Sequence, residues 1–302
     1  MKITIVGLGL IGGSYAKDLR KLWATSQIMG VDSNAEHARQ AVDLGLVDTV
    51  LDLDAACSIA DLVIVAVPVN VVQRLLPGIL DIIQEHTTVI DAGSTKVMIC
   101  DVIRFHKKRG RFIAAHPIAG TENSGPSAAI EGLFKKKVSI ICEAEKSSED
   151  ALAAAKNLFT SLGMRITFME PREHDKHVAY VSHLSHVSSF LLGQTVLDIE
   201  GNEKNIFNLA GSGFASTVRL AKSSPEMWAP IFEQNSYYLK QALEEYIEHL
   251  QKFHRHLVRN ETQEVKSIMQ RANEIRRVLE GIELKDKESD TPISKEKITT
   301  EE

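Results

Sequence analysis

Short apolar runs alternate with amphipathic segments along about the first 170 residues of the chain. The runs are rich in Ile and Val, and segments of helical length separate them. This alternation predicts a parallel sheet with helices on both faces, which is the doubly wound α/β class. The predicted strands are KITIVG, QIMGVD, DLVIVAVP, TTVIDAGS, RFIAAHP, KVSIICEA and RITFME.

The pattern changes after Pro171, where no further β-rich run follows. Apolar residues then recur at helical spacing in two long segments. We therefore predict an α/β domain over residues 1–171 and an all-helical domain over residues 172–281. Residues 282–302 are charged and poor in aromatic residues, so we predict a weakly ordered tail.

The composition excludes several classes of protein. Hydrophobic residues make up 44% of the 302 and charged residues 25%, which are ordinary globular values. With a formal net charge of -5 we expect no nucleic-acid partner. No apolar run approaches the roughly 20 residues that span a bilayer, so we expect no membrane association.

The N-terminus and the cysteines indicate a compartment. A predicted strand begins directly after Met1, which leaves no room for a cleavable signal. Cys57, Cys100 and Cys142 are far apart and lack CxxC spacing, which is typical of buried thiols in a reducing environment. We expect a cytoplasmic protein.

A glycine-rich turn, GLGLIGGS, joins the first predicted strand to the first predicted helix. The turn has the GxGxxG spacing, with glycine at positions 7, 9 and 12. Gly7 permits a tight turn, Gly9 lets the backbone approach a pyrophosphate, and Gly12 lets the helix pack closely on the strand. Asp32 ends the second predicted strand, where a carboxylate accepts hydrogen bonds from ribose hydroxyls and repels a ribose phosphate. This context predicts a Rossmann-type domain that binds NAD rather than NADP.

The expected cofactor contacts lie in this turn, at Asp32 and after the strand DLVIVA. They are Gly7, Leu8, Gly9, Leu10, Ile11, Gly12, Asp32, Val67 and Pro68. The alternative is that the glycines serve only a tight turn and that Asp32 caps the following helix.

Candidate catalytic residues follow two later strands. Ser94 stands in DAGSTK, and His116 ends the run RFIAAH. Oxidation of an alcohol needs a base that takes the hydroxyl proton as hydride leaves, and histidine titrates in the suitable range. We predict His116 as this base and Ser94 as a group that orients it or the hydroxyl.

The helical part adds four histidines and an arginine. The histidines form two HxxH pairs, whose members share a helix face, but no carboxylate or thiolate cluster adjoins them, so we predict no metal site. His174 and His177 are as consistent with surface or core positions as with a functional one. Arg219 follows a glycine-rich connector and can clamp a substrate carboxylate, or can form a surface ion pair. The four histidines are His174, His177, His183 and His186.

Six motifs together resemble the prephenate dehydrogenase family of tyrosine biosynthesis. They are GLGLIGGS, VAVP, DAGSTK, HPIAGTENSG, HDKHVAYVSHLSH and GSGFASTVRLA, and the resemblance covers residue 1 to about residue 280. The resemblance implies the oxidative decarboxylation of prephenate to 4-hydroxyphenylpyruvate with NAD, by a monofunctional enzyme. The chain has Ser185 where the family often has proline.

The resemblance also implies roles for individual residues. His116 accepts the proton of the ring hydroxyl with help from Ser94, and Arg219 holds a substrate carboxylate. The second histidine of SHLSH, His186, favours prephenate over arogenate, because a hydrogen-bond donor or a positive charge suits a keto acid and repels an ammonium group. The remaining pocket residues are His183, Thr121, Glu122 and Trp228, the last contributed across a dimer interface.

Two features leave alternatives open. The segment MWAPIFEQNSYYLKQALEEYIEHL has more apolar positions than a small domain easily hides, so we predict a homodimer, with burial inside one chain as the alternative. Arogenate dehydrogenase is the nearest alternative activity. More distant alternatives are a β-hydroxyacid dehydrogenase, a pyrroline carboxylate reductase and an NAD-sensing regulatory module.

Overall fold

The structure, a computed structural model, describes residues 1–200 and 206–281. One sheet of eight strands runs through the first part, in the order β3-β2-β1-β4-β5-β6-β7-β8. The strands are β1 (Lys2–Val6), β2 (Gln27–Val31), β3 (Thr49–Val50), β4 (Leu62–Val65), β5 (Thr88–Asp91), β6 (Phe112–Pro117), β7 (Val138–Cys142) and β8 (Arg165–Met169).

The predicted doubly wound sheet is confirmed, with two differences. The seven predicted runs all form strands, and the structure adds β3, whose two residues are too short to give an apolar run. The second difference is that β7 runs antiparallel to β6, with Pro117 opposite Ser139. The connector 118–137 contains no crossover helix, so the chain returns from the edge at which β6 ended. This connector therefore stays at the carboxyl edge of the sheet.

Apolar side chains cover both faces of the sheet. Ile64 belongs to one buried cluster, while Val63 and Val65, its neighbours on β4, belong to the other. Alternate residues of a strand point to opposite faces, so both faces are buried, as a parallel sheet requires. The helices of this part are α1 (Leu10–Leu22), α2 (Ala35–Asp43), α3 (Leu53–Ser58), α4 (Val69–Ile82), α5 (Val97–Val102) and α6 (Glu149–Ser161).

The described residues after Met169 form helices and turns only, which confirms the predicted helical part. α7 begins at Pro171 and α10 at Pro225, because proline lacks only an N–H that the first helical turn leaves unpaired. A π-helical segment, Ala179–His183, joins the first two helices. The helices are α7 (Pro171–Val178), α8 (Leu184–Glu200), α9 (Ser212–Val218), α10 (Pro225–Gln234), α11 (Ser236–Val258) and α12 (Thr262–Ala272).

The described chain falls into two compact units, Met1–Ala242 and a second that starts at Leu243. Helices α7 to α10 thus belong to the same unit as the sheet, and the division at residue 171 stays a prediction. The predicted weakly ordered tail, 282–302, lies outside the described residues. Of the helices that the structure describes, none is long and apolar enough to cross a membrane.

Candidate active site

The turn between β1 and α1 has the conformation that its glycines predict. Gly7 has φ +92°, and a β-carbon there would lie 2.5 Å from the backbone oxygen of Ala66. A β-carbon on Gly12 would lie 1.9 Å from the oxygen of Gly7 and 3.0 Å from Ile5 Cγ2, so α1 packs too closely on the turn and on β1 for any side chain. A β-carbon on Gly9 would meet no heavy atom within 4 Å. The open space at the N-terminus of α1 therefore fits a pyrophosphate.

Asp32 lies beside this turn. Its Oδ2 accepts a hydrogen bond from Leu8 N at 2.8 Å and its Oδ1 accepts one from Asn34 N at 2.8 Å. The residue that caps α2 is Asn34, whose Oδ1 accepts from the N–H groups of Glu36 and His37. The alternative reading of Asp32 as the helix cap is therefore wrong. Each carboxylate oxygen keeps capacity for a second hydrogen bond, such as one from a ribose hydroxyl.

The other expected cofactor residues surround the same turn. Val67 Cγ1 lies 2.7 Å from the position of a β-carbon on Gly7, and exposed Pro68 precedes α4. Leu8 and Leu10 are 0% and 8% exposed, so their side chains belong to the core. If these two residues contact a dinucleotide, they do so through their backbone N–H groups. Ile11 is partly buried against the same core.

A hydrogen-bonded relay of three side chains begins at the end of β6. His116 Nδ1 lies 2.8 Å from His174 Nε2, and His174 Nδ1 lies 2.7 Å from Asp175 Oδ1. Asp175 also accepts from the backbone N–H groups of Lys96 and Val97, at 2.8 and 2.9 Å. The start of α7 and the loop after β5 thus hold the relay in place.

The relay sets the tautomer of each imidazole. A carboxylate only accepts hydrogen bonds, so Nδ1 of His174 carries the proton and its Nε2 accepts. His116 must then donate from Nδ1, which leaves the lone pair of its Nε2 available. Burial, reinforced by the positive charge of nearby Lys96, holds the pKa of His116 well below its usual range. His116 is therefore a neutral, oriented proton acceptor at neutral pH.

A buried ion pair fixes the backbone of β6 directly before His116. Asp91 and Lys96 are both 0% exposed, and Lys96 Nζ contacts the Asp91 carboxylate. Lys96 Nζ also donates to Ala115 O at 2.7 Å, and Asp91 Oδ1 accepts from Ala115 N at 2.9 Å. Both backbone polar groups of the residue before His116 are thus fixed by side chains.

The π-helical segment brings a second histidine inward. π-bulges are frequent at functional sites, and this one ends at His183, which is 1% exposed. The ring of His183 meets Trp228 edge-on, with 5.8 Å between centroids. Burial lowers the pKa of His183 to about 4, so the ring is neutral. Trp228 Nε1 is buried without a hydrogen-bond partner among the described residues, which leaves a donor beside this ring.

His186 also contacts Trp228 and stacks on its ring, with 3.5 Å between ring centroids. Trp228 therefore reaches both histidines within its own chain, so its predicted contribution across a dimer interface is not needed to complete this stack. His186 Nδ1 lies 3.0 Å from Ser182 O, and a carbonyl only accepts, so Nδ1 carries the proton. Burial and the nearby charge of Arg219 lower the pKa of His186. The neutral ring thus has an acceptor at Nε2, and it can donate there only when protonated.

Two of the predicted substrate-binding residues, Arg219 and Glu122, pair with each other. Arg219 donates from Nη1 to Glu122 Oε2 at 2.7 Å, and the arginine side chain is 52% exposed. Thr121 takes part in a local turn, where its Oγ1 accepts from Asn123 N at 3.2 Å. Half-buried Ser94 follows β5, but the structure contains no hydrogen bond between it and His116. Its assisting role stays a prediction.

Two family models match the chain. The nucleotide-binding domain of prephenate dehydrogenase matches residues 15–168, and the dimerization domain of the same enzyme matches residues 170–271. The chain belongs to the prephenate dehydrogenase family. The resemblance inferred from the six motifs is thereby confirmed.

Relatives named prephenate dehydrogenase align with more than nine tenths of this chain. The enzyme from Bacillus subtilis is 30% identical over 94% of this chain and 77% of its own. A structure of prephenate dehydrogenase from Aquifex aeolicus with hydroxyphenyl propionate and NAD+ matches with a TM-score of 0.84 and 32% identity, over 92% and 98% of the two chains. Arogenate dehydrogenase from Synechocystis matches with a TM-score of 0.71 and 28% identity, over 92% and 100%.

Sequence reasoning missed part of this prephenate dehydrogenase site. The sequence did not decide whether His174 and His177 have surface, core or functional positions. His174 is buried and belongs to the relay, whereas His177 is exposed. Asp175 and Asn235 were not singled out, although the adjacent His and Asp of HDKH were a usable signal for the first. No group of three or more potential metal ligands occurs within residues 1–200 and 206–281.

Proposed function

We propose that the chain oxidatively decarboxylates prephenate to 4-hydroxyphenylpyruvate with NAD. The observation that carries this proposal is the Asp175–His174–His116 relay, which presents a neutral base at the carboxyl edge of a sheet with a dinucleotide turn. The names of the Bacillus and Aquifex relatives support prephenate as the substrate. A regulatory module that only senses NAD has no need of such a relay.

The residues of the chain divide the reaction between them. His116 Nε2 takes the proton of the ring hydroxyl, while its Nδ1–H stays bonded to His174 and the Asp175 carboxylate balances the charge that develops. Arg219 binds a substrate carboxylate, and Trp228 and His183 line the pocket. NAD bound at Gly9 and Asp32 supplies the hydride acceptor. Loss of carbon dioxide leaves an aromatic ring, so the reaction is strongly downhill.

A direct assay tests the proposal. Purified protein with NAD and prephenate should produce NADH and 4-hydroxyphenylpyruvate in equal amounts. Absence of turnover with prephenate, together with turnover of arogenate, would identify the chain as an arogenate dehydrogenase like its Synechocystis neighbour. Absence of turnover with both would refute the proposal.

The preference for prephenate should depend on pH through His186. The ring repels an ammonium group and donates to a keto acid only when it is protonated, and burial lowers its pKa from the usual value. The ratio of kcat/KM for prephenate to that for arogenate should therefore rise as the pH falls below about 6.5, the ordinary histidine pKa. Protonation of His116 slows both reactions alike and cancels in the ratio. The same pH dependence in His186→Val would exclude His186 as the discriminating residue.

Asp32→Ser should narrow the preference for NAD over NADP. The carboxylate repels a ribose phosphate and bonds the ribose hydroxyls, so the substitution weakens NAD binding and relieves the repulsion. Catalytic efficiency with each cofactor measures both effects. Asn34→Ser, which keeps a residue able to cap α2, controls for changes in the neighbouring turn. Equal efficiencies with the two cofactors in the unmutated protein would contradict the role of Asp32.

We also propose that the chain forms a homodimer, which the match to a dimerization domain supports. Trp228, Ile231 and Leu239 are buried within one chain, but Ile247 and Leu250 on α11 are 43% and 52% exposed. Light scattering should give about twice the chain mass of 33.4 kDa. A mass near that of one chain at micromolar concentration would contradict the dimer.

Residence in the cytoplasm is a further part of the proposal. Cys57, Cys100 and Cys142 are free and buried, and burial raises the pKa of Cys57 and Cys142 to about 12. Such thiols are protonated and unreactive at neutral pH, as is ordinary in a reducing compartment.

A further inference from the structure

Asn235 lies between α10 and α11 and is 2% exposed. Its side-chain amide contacts two residues of the candidate active site. Asn235 Nδ2 lies 2.7 Å from the backbone oxygen of Asp175 and 3.0 Å from His183 Nδ1. One amide nitrogen thus touches both the end of the His116 relay and the second buried histidine of the pocket.

The backbone oxygen of Asp175 determines which way the amide faces. A carbonyl oxygen only accepts hydrogen bonds, so the atom of Asn235 beside it must be the NH2 group. That group has two hydrogens, and the second is directed to His183 Nδ1. His183 Nδ1 must therefore be the acceptor, and the ring, which is neutral because it is buried, carries its proton on Nε2.

We propose that Asn235 is a positioning residue that holds His183 in the Nε2–H tautomer, so that His183 offers the pocket a hydrogen-bond donor for an oxygen of the substrate. This proposal rests on the proposed function. The two histidines of SHLSH then have opposite hydrogen-bonding roles at Nε2. His183 is a donor there, whereas the neutral His186 has its proton on Nδ1 and is an acceptor at Nε2. A substrate that bears carboxylate and keto oxygens needs the donor.

The same amide supports the proton acceptor. The backbone oxygen that it binds belongs to Asp175, whose carboxylate sets the tautomer of His174 and, through it, of His116. Asn235 therefore fixes the ring proton of His183 directly, and it anchors the backbone of the residue whose carboxylate fixes the ring protons of His174 and His116. Neither His183 nor His116 can change its tautomer without the loss of a buried hydrogen bond.

The tautomer can be read directly in the protein without substrate. Long-range proton–nitrogen NMR of protein labelled in its histidine rings distinguishes protonated from unprotonated ring nitrogens, and His183→Phe identifies the His183 signals. We expect unprotonated Nδ1 and protonated Nε2 at neutral pH. A protonated Nδ1 would overturn the proposal. A chain that turns over no prephenate would refute the proposed function instead, so the two failures are distinguishable.

Two substitutions test the cause. Asn235→Asp offers only acceptors to His183, so the ring proton should move to Nδ1. Asn235→Ala removes the donor without adding a charge, and both ring nitrogens should then be partly protonated. Gln234→Ala is the matched control, since this neighbouring amide bonds to Thr95 and Gln73 rather than to His183. A His183 tautomer that is unchanged in Asn235→Ala would overturn the proposal.

Kinetics provide the second readout. Asn235→Ala should raise the KM for prephenate by about 10- to 100-fold, the usual effect of losing one hydrogen bond to a charged ligand. The Kd for NAD, measured by fluorescence titration, should change by less than about twofold. A loss of NAD binding as large as the rise in KM would indicate general damage to the fold and would contradict a role specific to the substrate pocket.

Discussion

His116→Asn should lower kcat by roughly 100- to 10,000-fold, the range for the loss of a positioned general base. Asparagine keeps a polar side chain close to His174, so the local packing survives, but it has no group that takes the hydroxyl proton. The Kd for NAD should remain close to that of the unmutated protein, because the glycine-rich turn predicted to bind NAD lies between β1 and α1, away from His116 on β6. Stopped-flow or steady-state formation of NADH measures the effect.

The pH profile adds a second test of the base. The proton acceptor must be neutral, so kcat/KM should fall as the pH drops through the pKa of His116. Since burial holds that pKa well below its usual value, the fall should come at a more acidic pH than about 6.5. His177→Asn is the matched control, because His177 lies on α7 but is exposed. Near-normal turnover of His116→Asn would place the base elsewhere.

Asp175→Asn should also lower kcat by roughly 100- to 10,000-fold, as loss of the carboxylate does in other relays that orient an imidazole. The Asp175 carboxylate accepts from His174, Lys96 N and Val97 N, and an amide cannot accept all three hydrogen bonds. If the NH2 group faces His174, the tautomers of both histidines reverse and His116 presents a proton in place of its lone pair. If it faces Val97, the tautomers persist but the stabilising negative charge is lost.

Steady-state kinetics separate this effect from damage to the pocket. Asp175 does not contact the substrate, so the KM for prephenate should change far less than kcat. Glu173→Gln removes an exposed charge two residues away on α7 and should have no such effect. A thermal unfolding curve for each variant shows whether the fold is retained. A large rise in KM with unchanged kcat would contradict the positioning role of Asp175.

Local patterns in the sequence were sufficient to predict the sheet, the helical part and the dinucleotide turn. Buried strands give runs of Ile and Val, and the conformation of Gly7 and the packing at Gly12 leave no room for a side chain. The place of His116 at a strand end was equally predictable, because side-chain burial along β6 follows from its apolar run. These properties depend on neighbours close in sequence, which is why they could be predicted.

Only the tertiary structure decided which polar groups meet. His116 and His174 are 58 residues apart, and Asn235 is 52 residues from His183. The antiparallel return of β7 and the π-helical turn before His183 likewise left no periodic signal. Each of these hydrogen bonds joins two elements that are distant in sequence. The hydrophobic pattern of one element indicates which of its faces is buried, but not which polar group of another element lies against that face. The sequence therefore determined where the glycine-rich turn and the base would lie, whereas the hydrogen bonds that α7 and the α10–α11 junction make with His116 and His183 determined the proton positions on these two histidines.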